Sequence, residues 1–290
     1  MEKETFVLDR SFIGKEYRSR PQIAKADAMI KYAQATNETN PTYYDTESPE
    51  GVVSPPLYPV VFLPELLSQL SDDAEEMNLD LLRVVHAEHE MWWKERIRPG
   101  DEIVSSARIA NIEKRGANEL LDMDIQCTCG NTIMVEMRYR LIMRGRKKAE
   151  KREAKASKET SIEGEKVAAR TVLVSGDQGK RYAEASGDHN PIHVSDEIAR
   201  SAGLPSAILH GLCTMAFASQ TIVDELLEGD PTRLQHMKVR FSKPVLMGQA
   251  LTTEVYDTGA QEDACRLVHF VTKNPSNHPV LTNGMAEYTE

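Results

Sequence analysis

The positions Leu212, Met215, Ala216, Ser219, Ile222, Val223 and Leu226 recur at helical spacing through LPSAILHGLCTMAFASQTIVDELL, with small residues between them. That period predicts an α-helix, and the small residues predict one wrapped closely by its surroundings. An earlier segment, VSPPLYPVVFLPELLSQL, is also apolar and helix-length, and predicts a counterpart in the first half. After each helix the pattern turns strand-like, in HEMWWKERIRPGDEIVSSARI and HMKVRFSKPVLMGQALTTEVY, with Gly100 and Gly248 in matching places. Further runs, LLDMDIQCTC, TIMVEMRYRLIM, CRLVHFVTK and PVLTNGMAEYT, are bounded by Gly, Pro or Asn as antiparallel strands are. Each half therefore reads as one long helix followed by a meander, an α+β pattern. Trp92 and Trp93 are neighbours on a strand and so point to opposite faces, one of them into the core.

The two halves are related in detail. KYAQATNETNPTYYD from Lys31 aligns without gaps on RYAEASGDHNPIHVS from Arg181, a shift of 150 positions. Five of the fifteen positions are identical: a tyrosine, two alanines and the Asn-Pro pair. Between the halves, RGRKKAEKREAKASKETSIEGEK is dominated by charged residues and alanine, with no apolar stripe to tie it to a core. It divides the chain into a first repeat at 1–143, a charged linker at 144–166 and a second repeat at 167–290.

Composition narrows the function. The 290 residues are 40% hydrophobic and 28% charged, enough apolar material for sizeable cores. Lys+Arg 35 against Asp+Glu 45 gives a net charge of −10, which argues against nucleic acid as a partner. The opening MEKETFVLDR has no apolar core of a signal peptide, and no segment offers about 20 uninterrupted apolar residues, so a cytoplasmic protein without a membrane span is expected. Cys127, Cys129, Cys213 and Cys265 have no zinc-site spacing and read as packed thiols, with no metal expected.

The stretch RYAEASGDHNPIH carries candidate chemistry. Gly, Asp, Asn and Pro are ordinary turn formers, and alone they describe a helix end and a loop. The altered copy upstream and the His210-Gly211 pair at the start of the central helix turn the reading toward a site. Tyr182, Gly187, Asp188, Asn190, Pro191 and His193, followed by His210-Gly211, resemble the hydratase motif of the MaoC-like, or hydratase-2, family. FIGKEY, VVSPPLYPVVF, RVVHAEHE and RIRPGD in the first half resemble that family's degenerate N-terminal repeat. The resemblance covers nearly the whole chain and implies a double hotdog, in which each repeat wraps an antiparallel sheet around a long helix.

It also implies reversible hydration of a 2-enoyl-CoA to a (3R)-3-hydroxyacyl-CoA. An Asp and a His on one loop can hold a water between them, because carboxylate accepts and imidazole accepts or donates. Asp188 and His193 are thus the expected dyad, with Asn190, Pro191 and His210 positioning it. The resemblance assigns the thioester oxygen to the Gly211 backbone N–H, and a first-turn N–H with the helix dipole behind it suits a developing anion. In the first repeat Asn37 stands for Gly187, Glu38 for Asp188 and Tyr43 for His193, so one working site per chain is expected. Arg240 and Lys243 are candidates for the CoA phosphates, His189 is expected at the surface, and no cofactor beyond the CoA of the substrate is called for. An acyl-carrier-protein thioester, a noncatalytic thioester-binding scaffold subunit and a thioesterase are the competing readings, and a homodimer of such chains is compatible with all of them.

Overall fold

Both halves build their sheet in the same strand order. The computed structural model describes residues 7–49, 51–145, 162–262 and 264–290. In the first half β1 (Glu16–Arg18), β2 (Gln22–Ile23), α1 (Ala26–Ala35) and α2 (Pro64–Asp72) precede β3 (Val84–Trp93), β4 (Glu102–Arg115), β5 (Asn118–Cys129) and β6 (Thr132–Met143). The second half runs β7 (Glu165–Leu173), α3 (Gln178–Ser186), α4 (Asp196–Ser201), α5 (Gly211–Leu226), β8 (Leu234–Phe241), β9 (Ala250–Glu262), β10 (Cys265–Lys273) and β11 (Pro279–Thr289). All join one antiparallel sheet of order β1-β4-β5-β6-β3-β8-β11-β10-β9-β7, with β2 also on β4. Read outward from the β3–β8 junction, the two halves match strand for strand.

The junction is a pseudo-twofold axis. Aligning Gly100 with Gly248 makes Glu90 equivalent to Lys238, and these two residues face each other across the junction, with His89 opposite Val239 and Met91 opposite Met237. The axis residues form an ion pair of 3.2 Å. Around them the outward face is a charge ladder, with Arg140 bridging Asp122 at 2.7 Å and Glu88 at 3.1 Å. Such partly exposed pairs contribute up to about 1 kcal/mol each, so the junction rests mainly on its inward side chains. Trp93 is among those, and Trp92 turns outward to stack on His236 at 4.9 Å, as strand alternation requires.

The two central helices differ. In α5 every residue from Cys213 to Val223 is buried, and the helix packs on β7, β8 and β9. Full burial of residues such as Phe217 or Ile222 stabilises by roughly 1.5–3 kcal/mol each. The first-half counterpart is not one long helix: Tyr58–Phe62 is a 3-10 turn and α2 begins afresh at Pro64. Pro59 and Pro64 supply no N–H for a continuous ladder, and proline is tolerated only in the first turn of each short piece. Helices α1 and α3 meet across the axis, where the repeat-related Tyr32 and Tyr182 hydroxyls lie 3.2 Å apart. Most of the charged linker, 146–161, lies outside the described residues, and β7 already begins within its last two positions. Among the described residues no helix is long and apolar enough to cross a membrane.

Candidate active site

Helix α3 ends where Gly187 takes a left-handed φ of 77°. A Cβ there would also lie 2.9 Å from Pro64 Cγ, so a side chain is strained by the backbone conformation and crowded by the first repeat. The chain then turns on local bonds. Asp188 N–H donates to Ser186 Oγ at 3.2 Å, Asn190 N–H donates to Asp188 Oδ1 at 3.1 Å, and Ile192 N–H donates to Asn190 Oδ1 at 3.3 Å. Asn190 thereby caps a 3-10 turn, Pro191–His193, that has proline at its start. The loop sits down on α3 because residue 179 is glycine: a Cβ there would lie 2.6 Å from the His193 carbonyl oxygen.

His193 Nδ1 bonds the Ile208 carbonyl at 2.9 Å. A carbonyl only accepts, so Nδ1 carries the proton and Nε2 keeps a lone pair. Burial lowers the pKa of the ring, against the opposing pull of Asp188, and the imidazole is neutral at neutral pH. His210 bonds the Asp188 backbone carbonyl through Nε2 at 3.0 Å and stacks on His193 with ring centroids 3.8 Å apart. Its pKa is pushed down to about 4, first by burial and then by His193. The aspartate carboxylate and the two imidazoles approach within 4.8 Å of one another, the separation at which one small molecule touches both Asp188 and His193.

Those three side chains could be read as metal ligands, but their geometry fits a metal poorly. Ring lone pairs lie in the ring planes, and here the planes are 25° from parallel and stacked. They do not converge on one ion at about 2.1 Å from each nitrogen.

Gly211 opens α5, whose cap residue His210 makes no side-chain capping bond. The first-turn N–H groups thus have no side-chain acceptor from the cap, and the helix dipole adds partial positive charge at this end. A Cβ on Gly211 would meet the Phe241 ring at 3.0 Å, so any larger residue presses on that ring. Beside His193 opens a cavity of about 390 Å³ whose lining includes Gly176, Gly179, Lys180, Met247 and Asp196.

The predicted residues fall into two groups. Asp188, Asn190, Pro191, His193, His210 and Gly211 come together as described, and His189 is at the surface beside Glu184. Arg240 lies on the outward sheet face, ion-paired with Glu88 at 3.6 Å, and Lys243 is exposed after β8. Lys180 in the cavity wall was missed, although the repeat carried a signal: its counterpart 150 positions earlier is Ile30, and that of Gly179 is Met29.

The first-repeat loop is built on the same turn and closed off. Asn37 adopts the left-handed φ of 55° that Gly187 has in the second copy. Gln220 of α5 donates to the Asn37 carbonyl at 3.0 Å, and Asn40 donates to the Gly229 carbonyl at 2.6 Å. Arg170 pairs with Asp224 beside them. Glu38 is 6% exposed and Tyr43 is fully buried. Burial, then the nearby Asp224, holds the Glu38 carboxyl well above the usual range. Burial likewise pushes the Tyr43 phenol up.

The fold is that of a double hotdog protein. Residues 152–278 match the family model of the MaoC like domain, and residues 11–135 match that of the FAS1-like dehydratase domain region. The second half thus carries a MaoC like domain and the first a FAS1-like dehydratase domain region. The chain is 27% identical over 198 residues to the probable enoyl-CoA hydratase 2 of Dictyostelium discoideum, covering 66% of each chain. It is 27% identical over 218 residues to the mouse (Mus musculus) peroxisomal multifunctional enzyme type 2, covering 73% of this chain but 28% of that one. A MaoC-like dehydratase from Phytophthora capsici has the same fold, with a TM-score of 0.80, 21% identity and 98% of each chain covered.

Proposed function

We propose that the protein is a hydro-lyase that adds water reversibly to a 2-enoyl-CoA, giving a (3R)-3-hydroxyacyl-CoA. The observation that carries this reading is the convergence of Asp188 and the unprotonated Nε2 of His193 beside the first turn of α5. A water held by the pair loses a proton as its oxygen bonds Cβ. The electron pair of the double bond moves through Cα onto the thioester oxygen, and the pair returns a proton to Cα. Negative charge on the thioester oxygen is stabilised by the Gly211 N–H, where one such donor is worth about 3–4 kcal/mol in the transition state. His210, stacked on His193 and bonded to the Asp188 carbonyl, positions both members.

Atoms balance with water alone, so the reaction requires neither metal nor redox cofactor. The cavity beside His193 admits the pantetheine arm, with Lys180 toward its phosphates. The relatives named enoyl-CoA hydratase 2 support the CoA thioester as substrate. Free thiols at Cys127, Cys129 and Cys213 suit a reducing compartment such as the cytoplasm.

The test is loss of enoyl absorbance with short, branched, dicarboxylic and long 2-enoyl-CoAs, followed by chiral analysis of the product. Conversion to the (3R) alcohol that disappears in Asp188→Asn and in His193→Ala supports the reading. Full activity in either variant would overturn the mechanism. Turnover confined to acyl-carrier-protein thioesters would move the substrate, release of free thiol would indicate a thioesterase, and stoichiometric binding without turnover would indicate a scaffold subunit.

A further inference from the structure

One polar side chain close to this site takes no part in the reaction above. His86, on β3 of the first repeat, stacks on Tyr139 with centroids 4.4 Å apart and meets the Phe241 ring at 5.0 Å. Phe241 is the ring that packs against Gly211. The charge of Asp188 is felt at both His86 and Tyr139. The sheet junction brings His86 and Tyr139 from the other half of the chain to Phe241, and the three rings form a wall beyond Gly211.

The hydrogen bonding of His86 is incomplete in one particular direction. Where the β3–β6 register shifts between His86 and Glu88, the Glu88 backbone engages the ring. Nε2 is buried and has no hydrogen-bond partner among the described residues. Burial pushes the imidazole pKa down to about 4. The ring is therefore neutral, its proton is on the nitrogen facing the backbone, and Nε2 can only accept. His89 packs edge-on at 5.3 Å and makes no bond through either nitrogen among the described residues, so it does not satisfy this acceptor.

The geometry points to His86 as a specificity-determining residue of the Asp188 site, with Nε2 accepting a hydrogen bond from a hydroxyl carried on the acyl chain beyond Cβ. The assignment rests on the enoyl-CoA hydratase reading. The cavity beside His193 takes the pantetheine arm, which leaves the ring wall past Gly211 to the acyl end. Nε2 is already shut off from water, so an apolar chain there leaves it unpaired, whereas a hydroxyl pairs it. A carboxylate offers no donor and faces the Asp188 charge.

The experiment compares kcat/KM of the full chain on 2-octenoyl-CoA with that on four analogues bearing a hydroxyl on C5, C6, C7 or C8, using the wild type, His86→Phe and His86→Gln. The wild type is expected to favour at least one hydroxylated isomer by about tenfold. His86→Phe keeps a flat ring but no acceptor and should erase that preference through KM, and His86→Gln, which can still accept, should retain part of it. Ratios near one for every isomer in the wild type, or an unchanged ratio in His86→Phe, would overturn the assignment, and the wild-type ratios decide alone if His86→Phe does not fold. Turnover with flat ratios sinks the role of His86 only. No turnover of any of the five substrates by the wild type sinks the hydratase reading and this proposal with it.

Discussion

The loops at Glu38 and Asp188 share a backbone and differ in what the opposite half of the chain presents to them. Before Asp188, the other half contributes Pro64, a side chain without donors, while the His193 side opens to a cavity. Before Glu38, the other half brings Gln220, Asp224, Gly229 and Arg170, which bond to the loop or to one another beside it. The environments of the two carboxyls therefore differ more than their side chains do. A carboxyl beside an open cavity can exchange protons with what enters, whereas burial favours its neutral form.

The largest effect should come from the working copy. Asp188→Asn and His193→Ala are each expected to lower kcat by about 10²–10⁴-fold, with melting temperatures close to wild type, measured by enoyl absorbance and thermal unfolding. Gly211→Ala should lose roughly tenfold or more by driving a methyl into Phe241, and a smaller side chain at 241 should recover part of the loss. Unaltered activity in Gly211→Ala would remove the close approach from the argument.

The acid limb of the pH profile comes next. The proposed mechanism uses the neutral form of His193, whose pKa is lowered, so activity should fall only as pH drops through a midpoint below the ordinary imidazole value of about 6.5. A midpoint above that value would contradict the buried, neutral ring.

For the silent copy the expected change is in stability alone. The folded-state pKa of Glu38 is raised, so the unfolded chain releases that proton first and stability declines as pH rises above about 4.3. Glu38→Gln should remove that decline, with a melting-temperature advantage over wild type that grows as pH rises above about 4.3 and with activity unchanged. The smallest effect is a null. Restoring the motif with Glu38→Asp and Tyr43→His in an Asp188→Asn background should return no activity, because the plug from α5 and β7 remains. Recovered turnover would show that the motif alone makes the site.

Much of this was legible along the chain. The helical period at 212–226 marked α5, and the gapless alignment of 31–45 on 181–195 marked both turns, down to the left-handed position shared by Asn37 and Gly187. The first-half helix was less legible, because apolar length at 52–70 does not register the cost of prolines at 59 and 64 to a continuous ladder. Lys180 could have been found by contrast with Ile30 in the other copy. His86 was quoted within RVVHAEHE without a role, since nothing local to a strand shows which loop lies across from it.

By itself the sequence determined what is local: two repeats, the turn that holds Asp188 and His193, the glycine at the head of α5 and the alternation that splits Trp92 from Trp93. Short-range hydrogen bonds, allowed backbone angles and residue period specify such features without reference to distant contacts. Tertiary structure alone decided which loop stays open, which tautomer His193 holds and which side chains of one half reach the site of the other. Burial and hydrogen-bonding partners depend on residues distant in sequence, 15 positions for His193 and Ile208 and 183 for Asn37 and Gln220, that meet only in the folded chain.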